Sequence, residues 1–286
     1  MACYNLLRGD SDNPLFDVTF DFYSPRPHFI ILTKAGVPMK HEFGLISSEQ
    51  IQQLIKAGNS VLEIFKIAGG TLSIHRGAWR SEANKVHVHF PVDLESYLRV
   101  FESLKGDIPN WPSKKYVTKE WKKSKNPRSY VENVRGYPYR CYLADDVKSV
   151  TAILSCEQDV ALAELPLEGG IKKIVYHSSH PKIGFVGKKP ASIEEFQQVL
   201  SAMENIAKDL RLTDMKSKNA EKHGCHVCLY LGSVSSAGWN GLTKEDDEDV
   251  VGHIVMSGFR FYQLCPVELR ENWFHAYEQS GFQCLT

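Results

Sequence analysis

Two histidines that alternate with apolar residues are the first side chains in this chain that indicate chemistry. His87 and His89 lie in residues 85–92, which read Lys-Val-His-Val-His-Phe-Pro-Val. This alternation has the period of a β-strand, so both imidazoles are expected on one face and the apolar side chains on the other. An imidazole with an ordinary pKa of about 6.5 can be a nucleophile, a proton carrier or a metal ligand near neutral pH. The segment therefore predicts a strand whose second face is turned toward a polar site.

The composition is that of a globular protein with a substantial core. The 286 residues are 43% hydrophobic and 24% charged, and the formal net charge is zero, which argues against a generic polyanion binder. Seven cysteines are scattered with irregular spacing, which indicates reduced thiols and a cytoplasmic or nuclear location. No apolar run approaches the roughly 20 residues of a membrane span, so no membrane partner is expected.

The segments before the histidine strand predict two more strands and a helix. Apolar residues alternate over residues 16–22, and residues 28–34 are continuous and apolar enough for a central strand. Ser47, with Gln50 three residues later, forms a capping box at the start of a helix that keeps its apolar spacing to Phe65. Residues 69–81 predict another short strand and a polar turn, and residues after 93 a further short helix.

The second half of the chain repeats this order. Residues 180–188 fall on residues 26–34, and residues 224–230 fall on residues 85–91. Between them a second capping box begins at Ser192, and its helical pattern follows the first at one constant offset. More weakly, residues 258–262 repeat residues 136–140, and each is followed by a helical stretch. Four elements in the same order indicate a duplication, since amphipathic helices alone resemble one another by chance.

The predicted fold class is therefore α+β, built from two diverged copies of one unit, each an antiparallel sheet with one long helix. The first unit is expected over residues 1–156, with a basic insertion at 106–135, and the second over residues 157–286. Such a fused pair would be a monomer with an internal pseudo-dimer, or it would pair further as a homodimer.

The order strand, strand, helix, strand, strand ending in alternating histidines resembles the histidine triad superfamily. Residues 21–34 are similar to the first hairpin of that family, and the likeness covers residues 16–105 and, more faintly, 175–232. The family's signature is three histidines at alternate positions, of which the middle one attacks an α-phosphate and is transiently nucleotidylated. A doubled unit is similar to the branch that contains galactose-1-phosphate uridylyltransferase and dinucleoside tetraphosphate phosphorylase.

The resemblance implies a site that binds a nucleotide through one strand of histidines and the preceding turn. Three imidazoles in a row would let one attack phosphorus while its neighbours orient it and bind oxygens. The residues assigned to nucleoside and phosphate by this resemblance are Asp21, Phe22, His75, Arg80, Ser81 and Asn84. No cofactor or metal is required by this chemistry.

Two registers place the signature on this sequence. In one, His87 is first, His89 is the nucleophile and Pro91 takes the third place; in the other, Lys85 is first and His87 is the nucleophile. The first register is favoured because the third place varies more in the family. The second copy carries His226 but has cysteine and tyrosine at the next alternate positions, which predicts a structural role for it.

These observations support two function classes. The first is a nucleotide hydrolase or nucleotidyltransferase that acts on a phosphoanhydride, such as a dinucleoside polyphosphate, through a histidine nucleophile. The second is a catalytically degenerate module that binds nucleotide, RNA or a protein partner without turnover, since the triad is incomplete.

A basic segment with interleaved aromatic residues is the candidate RNA contact. Residues 114–128 combine seven lysines and arginines with aromatic side chains, and the low-priority nucleic-acid patch within them is Lys119, Trp121, Lys122 and Lys123. A solvated loop explains the same composition and is the favoured interpretation.

Two further clusters contain side chains that can bind metal ions. His223, Cys225, His226 and Cys228 are too close in sequence to surround one ion unless the segment is a loop, so zinc is disfavoured. The acidic run 245–249 is interpreted as a solvated helix start, with a hard cation as the alternative.

Overall fold

The computed structural model describes residues 5–7, 13–20, 28–37, 47–77, 86–104, 161–162, 168–176, 182–213, 224–233, 248–256 and 258–264. In the first half of this part of the chain the elements are β1 (Phe16–Phe20), β2 (His28–Thr33), α1 (Ser48–Phe65), β3 (Gly69–Gly77), β4 (His87–Pro91) and α2 (Leu94–Leu104). In the second half they are β5 (Ala161–Leu162), β6 (Ile171–Tyr176), β7 (Lys182–Lys188), α3 (Ile193–Asp209), β8 (Gly224–Gly232), β9 (Glu248–Met256) and α4 (Gly258–Leu264).

Across these segments the strands form one antiparallel sheet of nine strands in the order β1-β2-β4-β3-β8-β9-β7-β6-β5. Together with the helices this confirms the α+β class. The two halves meet in the ladder between β3 and β8, in which every residue from Gly69 to Gly77 is paired and Ser73 lies opposite Cys228 at the centre. Outward from this ladder, β4, β2 and β1 follow on one side, and β9, β7 and β6 follow on the other.

The two long helices begin as the sequence predicted. Ser47 and Ser192 are the N-caps of α1 and α3, and each forms a complete capping box with the side chain three residues on. An N-cap of this kind stabilises a helix by about 1 kcal/mol. Both helices lie on one face of the sheet and pack against each other, where the side-chain amide of Gln52 donates to that of Gln197 over 2.8 Å.

The hydrophobic core lies between this helix layer and the sheet. Alternate residues of the strands, among them Val88 and Phe90 of β4, join the inner faces of α1 and α3 in one cluster. Gly58 lets α1 approach the sheet closely, because a Cβ there would lie 2.6 Å from Leu231 of β8. Helix α1 therefore packs on β8 of the second half as well as on strands of the first half.

Two sequence-based assignments are wrong. Residues 248 and 249, expected in a helix start, begin β9, since the valine-rich run that follows them favours an extended, buried strand. Residues 224–230 were aligned with the histidine strand, but β8 holds the sheet position of β3, and it is β9 that holds the position of β4. The alignment failed because alternation of buried residues is common to all inner strands.

A buried ion pair fixes β3 to α3 across the two halves. Arg76 Nε donates to both carboxylate oxygens of Glu204, over 2.7 and 2.8 Å, and both side chains are almost fully buried. Both charged groups are shielded from water. Loss of either residue would therefore leave the other as an unpaired buried charge, which destabilises the fold.

None of the helices in the described segments is long and apolar enough to cross a membrane.

Removal of one member of the buried ion pair should destabilise the fold strongly. We expect Arg76→Met or Glu204→Leu alone to lower the free energy of unfolding by about 3–5 kcal/mol, because the remaining charge is left buried. The double variant should recover most of this loss. Urea unfolding followed by circular dichroism measures the effect.

The partly exposed pair of Lys34 with Asp17, 3.9 Å apart, supplies the control. Lys34→Met should cost at most about 1 kcal/mol. A single Arg76 or Glu204 variant as stable as this control would contradict the role given to the ion pair.

Candidate functional site

Five histidines from four strands meet on the face of the sheet opposite α1 and α3. We refer to this face as the histidine face and to its five rings as the histidine cluster: His28 of β2, His75 of β3, His87 and His89 of β4, and His226 of β8. The predicted placement of His87 and His89 on one side of a strand is confirmed, since their ring centroids are 4.7 Å apart.

Strand pairing explains why these rings converge. In the ladders beside β4, His89 lies opposite Ile30 of β2 and opposite Ser73 of β3. His75 lies directly opposite His226 in the central ladder. Residues opposite each other in a sheet point to the same face, so pairing alone carries the histidines of different strands to one place.

His89 is the centre of the cluster. The centroids of His28, His75 and His87 each lie 4.7 Å from the centroid of its ring. His75 and His226 stack almost parallel, with centroids 4.2 Å apart and planes at 6°. The second half of the chain therefore contributes one ring directly to the cluster of the first half.

Burial distinguishes the members of the cluster. His89 is 5% exposed, and His28, His75 and His226 are also buried, whereas His87 is partly exposed. His87 is consequently the member of the cluster most accessible to a ligand from solvent.

Burial also sets the protonation of the cluster. It lowers the pKa of His75 and His89 well below the usual value, and the charges of neighbouring histidines lower them further. For His226, burial and then the charge of His87 lower the pKa to about 3. At neutral pH these three rings are therefore uncharged, and a neutral imidazole has a lone pair available for attack or for accepting a hydrogen bond.

The rings stack and do not converge on one point. Within the described segments no group of three or more His, Cys, Asp or Glu side chains is arranged to hold a metal ion. Cys225 belongs to the core on the helix side, whereas Cys228 faces the histidine side and contacts Ser73 Oγ over 3.6 Å. Among the candidate zinc ligands of β8, Cys225 thus points to one face of the sheet, and His226 and Cys228 point to the other.

The structure brings together three of the predicted site residues, His75, His87 and His89. The other residues assigned to the nucleotide, Asp21, Phe22, Arg80, Ser81 and Asn84, lie outside the described segments, as do Lys119, Trp121, Lys122 and Lys123.

Sequence reasoning missed two members of the cluster, His28 and His226. His28 was assigned only to a strand, and His226 to the structural copy. Their place follows from the strand order, because β2 borders β4, and β8 borders β3. One local feature of the sequence could have indicated this placement. His28 and His226 each lie on a predicted strand with apolar residues on either side, which puts the imidazole on the face opposite those residues.

Comparison of the chain with protein-family models, with curated proteins and with solved structures finds no match.

Acid should destabilise this protein through the cluster. The folded-state pKa values of His75, His89 and His226 lie below those of the unfolded chain, so stability is complete above about pH 6.5 and falls as the pH drops below it. Each such histidine contributes a slope approaching about 1.4 kcal/mol per pH unit. Urea unfolding between pH 7.5 and 5 measures the total slope.

Carboxylates also titrate toward the lower end of this range, so a matched variant isolates the histidine effect. His226→Asn has no titrating ring at this position. It should reduce the slope of the unfolding free energy against pH by up to about 1.4 kcal/mol per pH unit, which corresponds to one proton taken up on unfolding. Equal slopes for the two proteins would show that His226 is not held neutral by its burial.

Proposed function

We propose that the chain consists of two histidine-triad-like units in tandem and that it hydrolyses or transfers nucleotides at a phosphoanhydride. The repeated order of strand, strand, helix, strand, strand, helix in both halves supports the first part of this proposal. Contacts at the middle of the molecule support it too, because Ser73 pairs with Cys228 in the sheet and Gln52 with Gln197 in the helix layer. Equivalent residues of two related units meet in this way at a pseudo-twofold axis.

The observation that carries the proposed chemistry is the position of His89 among three other imidazoles at 4.7 Å. A nucleophile needs neighbours that fix its orientation and its tautomer. His89 has such neighbours on both adjacent strands, whereas His87 lies at the more open end of the row. The geometry thus favours the register in which His89 is the nucleophile.

The reaction would proceed in two steps. A ring nitrogen of neutral His89 donates its lone pair to phosphorus, and the phosphoanhydride P–O bond breaks toward the leaving phosphate. Water or an acceptor hydroxyl then attacks the same phosphorus and releases its proton to solvent, the P–N bond breaks, and the ring regains its lone pair. His87 and His75 would bind the phosphoryl oxygens, with protonated rings serving better than neutral ones.

The neutral state of three rings of the cluster has one consequence for binding. A phosphate group stabilises protonated imidazole beside it, because an opposite charge at close range raises the pKa of a histidine. Nucleotide binding beside His75, His89 and His226 is therefore expected to take up protons from solution, because these three rings are uncharged in the free protein.

A second candidate function rests on Pro91. This residue holds the third place of the favoured register and lies opposite His28 in the ladder. Proline has no donor with which to bind a phosphate oxygen or to orient His89. A module that binds nucleotide without turnover would retain the cluster and lose this third imidazole.

Turnover should depend on His89 more than on His87. With a panel of dinucleoside polyphosphates, cap analogues and adenylylated compounds, we expect His89→Ala to lower kcat/KM by about 10³-fold or more, because the covalent route is lost. His87→Ala should cost about 10²-fold, as expected for a positioning or proton-transfer group. Wild-type protein quenched at alkaline pH should carry a nucleotidyl adduct by mass spectrometry, and His89→Ala should not.

Lys56→Ala, on an exposed position of α1 on the other side of the sheet, is the matched control and should keep full activity. Nucleotide binding by calorimetry without turnover of any compound would support the non-catalytic module. Absence of both binding and turnover would end both candidates.

A further inference from the structure

The second half of the chain holds a distinct group of polar side chains at the sheet positions that the histidine cluster occupies in the first half. His253 of β9 lies opposite Gly184 of β7 and opposite Cys228 of β8. His89 of β4 lies between Ile30 of β2 and Ser73 of β3 in the same manner. His253 is thus the backbone counterpart of His89, and it is 1% exposed.

The neighbours of His253 differ in chemistry from those of His89. The hydroxyl of Tyr230 and Nδ1 of His253 share a hydrogen bond of 2.6 Å, whose direction depends on the tautomer of the ring. Thr71 of β3 lies opposite Tyr230 in the central ladder and is buried. A tyrosine hydroxyl therefore borders the histidine in place of stacked imidazoles, and the threonine lies beside the tyrosine on the next strand.

A lysine brings positive charge to the same face. Lys182 lies two residues from Gly184 on β7, so it is the diagonal neighbour of His253 across the ladder, within reach of a long side chain. It is only 3% exposed, which is rare for an ammonium group. In the first half the corresponding diagonal neighbour of His89 is His28.

Space and shape also differ between the two halves. The residue directly opposite His253 is glycine, whereas Ile30 is opposite His89, so no side chain occupies the place beside His253 on β7. A glycine inside a strand is typical of a bulge or of the close approach of a ligand or another backbone, and the pairing of β7 with β9 shifts register close to this position, between Phe185 and Val186. Val175, Val186 and Val250 form a small apolar cluster on this face, separate from the main core, and Tyr230 packs against it.

From this arrangement we propose that Lys182, Tyr230 and His253 form a second binding site, which takes the phosphate group of a small molecule. The ammonium supplies positive charge, and the tyrosine–histidine pair supplies further polar groups. Lysine binds phosphate as a point charge, and a tetrahedral oxyanion has more oxygens to satisfy than a carboxylate. The apolar valine cluster then faces the remainder of the ligand.

This site does not require turnover at His89, so it is tested in a protein in which His89 is replaced. Inorganic phosphate is titrated into His89→Ala by calorimetry at constant ionic strength, with chloride and acetate as competing anions. We expect saturable binding of phosphate that Lys182→Met, added to this background, weakens at least about tenfold. Lys188→Met, which alters an exposed lysine at the other end of the same strand, should leave the affinity unchanged.

Tyr230→Phe provides a test that does not depend on replacing a buried lysine. It keeps the ring that packs on the valine cluster and removes only the hydroxyl. In nitrogen-15 spectra of the histidine rings, phosphate should shift the signals of His253, identified by their absence from His253→Asn. In Tyr230→Phe this shift should occur only at higher phosphate concentration.

Three results would overturn the proposal. The first is failure of phosphate to bind His89→Ala, and the second is equal affinity in a folded Lys182→Met protein. The third is a phosphate response confined to the rings of the histidine cluster, with His253 unmoved. Equally strong binding of acetate would reject the phosphate group as the ligand.

Discussion

The ladder between β3 and β8 is the contact on which the arrangement of the whole sheet depends. It joins the halves through nine consecutive residue pairs, from Gly69 with Gly232 to Gly77 with Gly224. A slip of one residue would reverse the face of every side chain on one strand relative to the other. His75 would then lose its stack with His226, and Arg76 would leave the helix layer that holds Glu204. The register of one ladder thus positions both the histidine cluster and the buried ion pair.

The histidine cluster combines burial with a chemistry that usually requires exposure. Five imidazoles pack on one face at the spacing of ring stacks, and burial keeps at least three of them neutral. A neutral ring costs less to bury than a charged one, which is why the fold tolerates so many histidines together. The same neutrality preserves the lone pair that a nucleophile needs. Under the proposed function, stability and reactivity would therefore require the same protonation state of His89.

His89 and His253 hold matching places in the strand order on either side of the central ladder, but their neighbours differ. Around His89 the neighbours are imidazoles, whereas around His253 they are a tyrosine hydroxyl, a glycine and, diagonally, a lysine. Under the two proposals, the first arrangement holds a phosphorus-directed nucleophile and the second recognises a phosphate group.

Local patterns in the sequence determined the elements near the site. The capping boxes at Ser47 and Ser192 and the alternation around His87 and His89 depend only on residues a few positions apart, so the helices, the strand and its two faces followed from them. The order of the strands in the sheet cannot be predicted from such local patterns, because any inner strand shows the same alternation of buried residues. Only the tertiary structure decided that β8 borders β3, that His28 and His226 join the cluster, and that β9 carries the counterpart of His89. These placements arise from pairing between strands far apart in the chain, which no local pattern encodes.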